Sequence, residues 1–144
     1  MREKIHVEKM SAKDIQQMEY LYEELIPGCC SKEILEKNYE IVKDKKNYYI
    51  AVAKEGGKIV GSAMGIINIA LDAPFMVIEN VIVKSACRKK GVGRKLFERL
   101  DKFAEENECE YSILVSSGFR KEAHKFYERM GYIDDVKGFR KVYK

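Results

Sequence analysis

Three β-rich segments follow one another between Tyr48 and Val83, separated only by turn residues, and this run constrains the fold more than any other part of the chain. Tyr48-Tyr49-Ile50-Ala51-Val52-Ala53 is the first. Glu55-Gly56-Gly57-Lys58 follows, and a Gly-Gly pair tolerates the positive φ that a tight hairpin requires. Ile59 to Leu71 is the second segment, and Asp72-Ala73-Pro74 turns the chain again. Phe75 to Val83 is the third, with Phe75, Val77, Glu79, Val81 and Val83 on one face. Connections this short join antiparallel neighbours, so the middle of the chain reads as an antiparallel meander.

Before the meander, Ile5 to Met10 alternates as a short strand. Ser11 offers an N-cap oxygen, and Asp14 places a negative charge in the first turn of the helix that follows. Ile15, Met18, Leu21, Tyr22 and Leu25 recur at helical spacing until Pro27-Gly28 ends the helix. Ser31 caps a second helix carrying Ile34, Leu35, Tyr39 and Val42. After the meander the texture alternates. A helix from about Gly91 to Asn107 carries Val92, Leu96, Phe97, Leu100, Phe103 and Ala104 as its apolar stripe. Tyr111 to Val115 is a strand, and Arg120 to Met130 a helix that stops at Gly131, a natural C′ residue. Phe139 to Tyr143 reads as a last strand. Strand–helix alternation of this kind implies right-handed crossovers over a mixed sheet. There is no repeat, low-complexity tract or linker, so residues 1–144 read as a single domain.

Composition narrows the function classes. With 144 residues and 46% apolar content the chain can bury a real core without disulfides. A formal charge of +4 suits an anionic ligand, yet 23 acidic residues dilute it below a nucleic-acid-binding composition. Cys29, Cys30, Cys87 and Cys109 show no C-x-x-C spacing, and His6 and His124 lie far from them, so no metal site is expected. Free thiols in a reducing cytoplasm are the expectation. Met1-Arg2-Glu3-Lys4 leads into no long apolar run, against a standard signal peptide, and no stretch approaches a membrane span. The chain reads as cytoplasmic, without a membrane or nucleic-acid partner. A homodimer is left open.

Arg88-Lys89-Lys90-Gly91-Val92-Gly93 stands where a strand ends and a helix begins. Glycines let backbone approach a ligand without Cβ obstruction. Unpaired amides at a helix N-terminus, with the helix dipole behind them, bind phosphate oxygens, and Arg88, Lys89 and Lys90 add positive charge. The P-loop pattern is absent, which disfavours a nucleoside triphosphatase. A Rossmann fingerprint would need glycine where Leu96 stands, and should follow the first strand of a βαβ unit. Taken alone, the loop is also consistent with a glycine-eased turn bearing a solvated basic cluster.

Two further segments join it. Arg88-x-x-Gly91-x-Gly93 resembles the R/Q-x-x-G-x-G/A signature of the GNAT superfamily of N-acetyltransferases. Ala123-His124-Lys125-Phe126-Tyr127-Glu128-Arg129-Met130-Gly131-Tyr132 resembles its A-x-x-F/L-Y-x-x-x-G-F/Y segment, and Glu79-Asn80-Val81-Ile82-Val83 is similar to its fourth strand. The resemblance covers nearly the whole chain. It implies an α/β (α+β) fold whose mixed, mostly antiparallel sheet has six to seven strands flanked by about four helices. It also implies acetyl-CoA, or another acyl-CoA, as co-substrate. The pyrophosphate would lie on the amides of Arg88, Lys89, Lys90, Gly91, Val92, Gly93 and Arg94. The pantetheine arm would lie between the strands ending at Val83 and Val115, with backbone groups of Val81, Ile82 and Val83 aligning the thioester.

Acyl transfer to an amine requires loss of an amine proton, stabilisation of an oxyanion and protonation of the departing thiolate. The resemblance gives Tyr127 the last role, although Phe126, Tyr127 and Met130 also form a packing stripe. Glu79 is the candidate base: a carboxylate buried on a mostly apolar strand is costly unless used. A solvent-facing glutamate, with a water chain as base, is the alternative. The superfamily often has asparagine where Arg120 stands, so Ser116 or Ser117 would have to cap the helix. Arg120 reads as a solvated arginine, with a cofactor phosphate the other reading. Cys87 has no histidine and acid to activate it and reads as an inert thiol. His124 reads as a helix-surface histidine. Acceptor specificity is expected from the first two helices and the Pro27–Ser31 loop. There Glu19, Glu23 and Glu24 either attract a cationic amine or form a solvated face. The function expected is acetyl transfer from acetyl-CoA to a primary amine of a small molecule or peptide. A non-catalytic acyl-CoA-binding regulatory module is the alternative.

Overall fold

The computed structural model describes residues 4–116 and 121–144, with the Leu25 side chain excepted. The Leu25 stripe position, Ser117 and Arg120 therefore lie outside the described residues. The chain divides into a larger unit, Met1–Ile113, and a smaller one, Leu114–Lys144.

In the larger unit β1 (Ile5–Lys9) leads through a 3-10 turn, Ala12–Asp14, into α1 (Ile15–Leu25) and α2 (Lys32–Val42). The meander is β2 (Tyr48–Glu55), β3 (Lys58–Ile69) and β4 (Pro74–Val83). A second 3-10 turn, Ser85–Cys87, precedes α3 (Val92–Glu106), and β5 (Ser112–Leu114) follows. The smaller unit holds α4 (Lys121–Arg129). No helix among the described residues is long and apolar enough to cross a membrane.

The strands lie side by side in the order β1-β2-β3-β4-β5. The first three pairings are antiparallel. Where β5 joins, Glu110 N–H donates to the Pro74 carbonyl at 3.0 Å and Met76 N–H to that of Tyr111 at 3.0 Å. These bonds advance in the same direction along both strands, which makes the sheet mixed. Gly56 (φ 61°) and Gly57 (φ 79°) form the expected hairpin turn. The helix count of four agrees with expectation, but the sheet has five strands among the described residues, not six to seven. Phe139 to Tyr143 is not a strand. Phe139 is 91% and Tyr143 85% exposed. Alternation marks a segment as able to pair; only a ladder partner makes it a strand.

The core lies on both faces of the sheet. On one face α1 sets Ile15, Met18 and Leu21 against Val52, Ile59 and Ile82. On the other, every apolar residue expected of α3 is buried: Val92, Leu96, Phe97, Leu100, Phe103 and Ala104. Two glycines of β3 let α3 approach this closely. A Cβ on Gly61 would stand 2.8 Å from Val92 Cγ1 and 3.0 Å from the Ile82 carbonyl oxygen.

Asp14 stands in the first turn after the N-cap Ser11, as expected, and does more there. It caps the 3-10 turn, its Oδ2 accepting the Ser11 N–H at 2.9 Å. Its Oδ1 pairs with Lys54 Nζ at 2.9 Å, and Glu8 reaches the same ammonium at 3.0 Å. Asp14 is 2% exposed, so this pair ties β1, β2 and the entry to α1 together in the interior. Gln17 adds a second tie to the β2–β3 hairpin: its Oε1 accepts the Ile59 N–H at 2.8 Å.

β4 departs from regular alternation. Met64 faces Glu79 but Ser62 faces Ile82, so Asn80 and Val81 together oppose Ala63. Asn80 adopts φ 53°, the left-handed conformation of a bulged residue. Before the bulge, Met76 packs beneath Gly65 toward α3. After it, Ile82 joins the α1 cluster, and Val83 stands opposite Gly61 on the α3 side. The single face expected for Phe75, Val77, Glu79, Val81 and Val83 is therefore broken at Asn80.

The two β3 glycines should respond differently to alanine. Gly61→Ala meets backbone and a buried valine, and overpacking of this kind costs ~1–3 kcal/mol. At Gly65 the nearest atoms are Met76 Sδ at 2.8 Å and Leu100 Cδ2 at 3.1 Å, ends of flexible side chains. Urea denaturation should show a clear loss for Gly61→Ala and a much smaller one for Gly65→Ala.

Candidate functional site

The basic loop is built from the end of β4. Lys84 N–H donates to the Val60 carbonyl at 2.8 Å, which holds the strand end against β3. Ser85–Cys87 then makes one 3-10 turn, in which Cys87 is buried. Arg88 is extended (φ −66°, ψ 150°). Lys89 (φ 66°) and Gly91 (φ 83°) are both left-handed, and Gly91 is the N-cap of α3.

The first helical bond of α3 runs from Lys95 N–H to the Gly91 carbonyl at 3.1 Å. The amides of Val92, Gly93 and Arg94 therefore have no acceptor within the helix. The N-cap, a glycine, offers no side-chain cap, and no acidic residue stands in the first turn. Arg88, Lys89, Lys90 and Arg94 are exposed around them. Dipole, free donors and four cationic side chains converge on one helix end, which is the arrangement that holds a phosphate or pyrophosphate. The Val92 side chain is 1% exposed and packs toward Gly61, so only its amide is available to a ligand.

Val81, Ile82 and Val83 lie in the same unit, one 3-10 turn before the loop. Ile82 spends its side chain in the core, and Val81 and Val83 are half-buried. What these residues present is backbone, redirected by the bulge at Asn80. Glu79 immediately precedes the bulge and is exposed. Of the two readings of Glu79, buried or solvent-facing, the second holds: it takes the α1 side of the strand at the sheet position opposite Met64, with its side chain exposed.

Tyr127 belongs to the smaller unit. It is half-buried on α4, with its ring edge-on to Phe126 at 5.7 Å and Tyr132 at 6.4 Å between centroids. Gly131 (φ 95°) ends the helix as expected, with its N–H donating to the Glu128 carbonyl at 3.0 Å. Tyr132 N–H turns back to the Tyr127 carbonyl at 3.0 Å. His124 is half-buried on the same helix.

Each of the three glutamates of α1 also accepts a hydrogen bond from a neighbouring loop or helix start. Glu19 Oε2 accepts the Lys32 N–H at 2.8 Å, at the start of α2. Glu23 Oε2 accepts the Gly28 N–H at 2.9 Å. Glu24 Oε1 accepts both the Ser85 N–H at 3.1 Å and the Ser85 hydroxyl at 2.9 Å. The Ser85 hydroxyl first, then its amide, with Lys84 and Arg88 further off, hold the Glu24 carboxyl below the usual carboxylate range. Between the two clamped ends of the α1–α2 loop, Cys29 and Cys30 place their sulfurs 2.8 Å apart. Burial, ahead of Cys29 itself, pushes the Cys30 thiol up to about 11. Among the described residues no group of three or more His, Cys, Asp or Glu is placed to hold a metal ion.

The profile of the Acetyltransferase (GNAT) family matches residues 14–132, a span that includes the loop, the bulge and Tyr127. The chain belongs to that family. Solved structures share the fold over nearly the whole length. A transcriptional regulator from Bacillus halodurans C-125 superposes with a TM-score of 0.90 at 23% identity, covering 97% of this chain and 100% of that one. A putative acetyltransferase from Agrobacterium tumefaciens str. C58 gives 0.85 at 25% identity, over 96% and 99%. The aminoglycoside N-acetyltransferase AAC(6')-Iy, solved in complex with CoA, gives 0.83 at 17% identity, over 96% and 95%.

Gly91 gives a direct handle on the anion site. A Cβ there meets nothing within 4 Å, so the cost of Gly91→Ala is the left-handed backbone alone, ~1–2 kcal/mol. Relief of that strain would swing the first-turn amides away from the ligand. Calorimetry with coenzyme A as probe should show weaker binding for Gly91→Ala than for an alanine on the exposed face of α3, such as Lys102→Ala.

Proposed function

We propose that this chain transfers the acetyl group of acetyl-CoA to a primary amine of a small molecule or peptide, by direct attack in a ternary complex. The observation that carries the reading is the uncapped start of α3: three free amides behind Gly91, ringed by Arg88, Lys89, Lys90 and Arg94. A pyrophosphate fits that donor set. The CoA-bound structure of AAC(6')-Iy supports the choice of ligand, and the family of the chain supports the choice of reaction.

In this reading the amine nitrogen attacks the thioester carbonyl and forms a C–N bond. Backbone donors of Val81 to Val83, re-aimed by the bulge, face the carbonyl oxygen as it gains charge. Collapse breaks the C–S bond, and the Tyr127 hydroxyl delivers the proton that converts the thiolate to free CoA. The amine proton leaves to Glu79, whose exposed carboxylate is open to the solvent side, or to water linked to it. The products are the acetamide and CoA.

Titration with coenzyme A, followed by an amine panel with released thiol as the readout, tests the reading. Binding and turnover are expected. Binding with no turnover on any amine would favour a non-catalytic CoA-binding module, and no binding would remove both. Tyr127→Phe should lower turnover ~10²–10⁴-fold with CoA affinity little changed. Unchanged turnover would take Tyr127 out of the mechanism.

A further inference from the structure

The basic loop does not support itself at its origin. It springs from the 3-10 turn Ser85–Cys87, whose own N-cap residue, Lys84, supplies no side-chain cap. The cap comes from a helix 61 residues away in sequence: Glu24 Oε1 takes both the N–H and the hydroxyl of Ser85. Arg88 N–H in turn donates to the Ser85 carbonyl at 3.3 Å. One side chain of α1 therefore grips the residue on which the first residue of the loop leans.

We propose that Glu24 is a positioning residue for the acyl-CoA donor. By fixing Ser85 it sets the direction in which Arg88 and the α3 amides face the pyrophosphate. The assignment rests on the reading of this loop as the donor site. It adds a link between the two substrates. Glu24 is next to the last residue of α1, and Glu23 and Glu19 on that helix hold the neighbouring Pro27–Ser31 loop at Gly28 and Lys32. The same helix end thus grips both the loop expected to face the amine and the loop that faces the donor. A shift of α1 on amine binding would be felt at the donor loop, and by linkage the reverse holds.

Charge and geometry make opposite demands here, which allows them to be separated. A bare carboxylate beside a phosphate site repels the ligand, whereas a carboxylate committed to Ser85 orders the loop. Glu24→Gln keeps an acceptor oxygen and removes the charge. Glu24→Ala removes both. Calorimetric titration with coenzyme A should show Glu24→Ala binding ~5- to 10-fold more weakly, the order expected for losing hydrogen bonds to a charged group at an exposed site. Glu24→Gln should bind at wild-type strength or better. Ser85→Ala should fall between, and Glu24→Ala/Ser85→Ala should be no weaker than Glu24→Ala alone. The melting temperature of the ligand-free protein should not change across the set.

Wild-type affinity in Glu24→Ala would overturn the assignment, as would tighter binding in both Glu24 variants, which would make the carboxylate only a repulsive charge. Equal weakening in Glu24→Gln and Glu24→Ala, or a weakening matched by a fall in melting temperature, would overturn it as well. Failure of the wild-type protein to bind coenzyme A would instead strike the donor-site reading, and this assignment with it.

Discussion

The close approach of α3 to β3 at Gly61 is the contact on which the rest of the site depends. A hydrogen in place of a methyl group lets Val92 Cγ1 come within 2.8 Å of where a Cβ would be. Val92 is the first residue of α3, so this contact places the helix's N-terminus in three dimensions. Its amide then points outward while its side chain points in. The stripe from Leu96 to Ala104 continues the seal along the sheet. An anion site made of backbone is only as well placed as the helix that carries it, and here the helix is held by packing at its very first turn.

Much of this was legible in the sequence because the relevant signals are local. The six apolar positions of α3 recur at helical spacing and all are buried. Gly56-Gly57 marks a hairpin, and Ser31 caps α2 through a bond to the Ile34 N–H at 3.3 Å. The glycines and cations of the loop from Arg88 to Gly93 are contiguous. What could not be read depends on partners distant in sequence. Nothing near Asp14 announces Lys54, and nothing near Glu24 announces Ser85. The bulge was hidden for a different reason. Between Val77 and Val83 apolar residues occupy both parities on either side of Glu79-Asn80, so the alternation alone does not say which side the strand's last residues take. Phe139 to Tyr143 shows the reverse error, an alternating pattern with no ladder to join.

The acidic run of α1 has a structural use that charge counting does not reveal. In the sequence Glu19, Glu23 and Glu24 read either as an attractant for a cationic amine or as a solvated face. Each also accepts at least one backbone N–H, which converts flexible side chains into braces. The α1–α2 loop is held at Gly28 and Lys32, and between them the paired sulfurs of Cys29 and Cys30 sit, with Cys29 N–H bonded back to the Ile26 carbonyl at 3.0 Å.

The bulge in β4 acts on the strand as a frameshift acts on a reading frame. Up to Glu79 even-numbered residues belong to the α3 side; from Ile82 on they belong to the α1 side. Removal of Asn80 would restore regular pairing with Ile82 still opposite Ser62 and Val83 still opposite Gly61, so the core would keep its side chains and only the left-handed backbone of the bulge would be lost. The extra residue thus redirects the backbone at the strand's end without displacing the hydrophobic core that follows it.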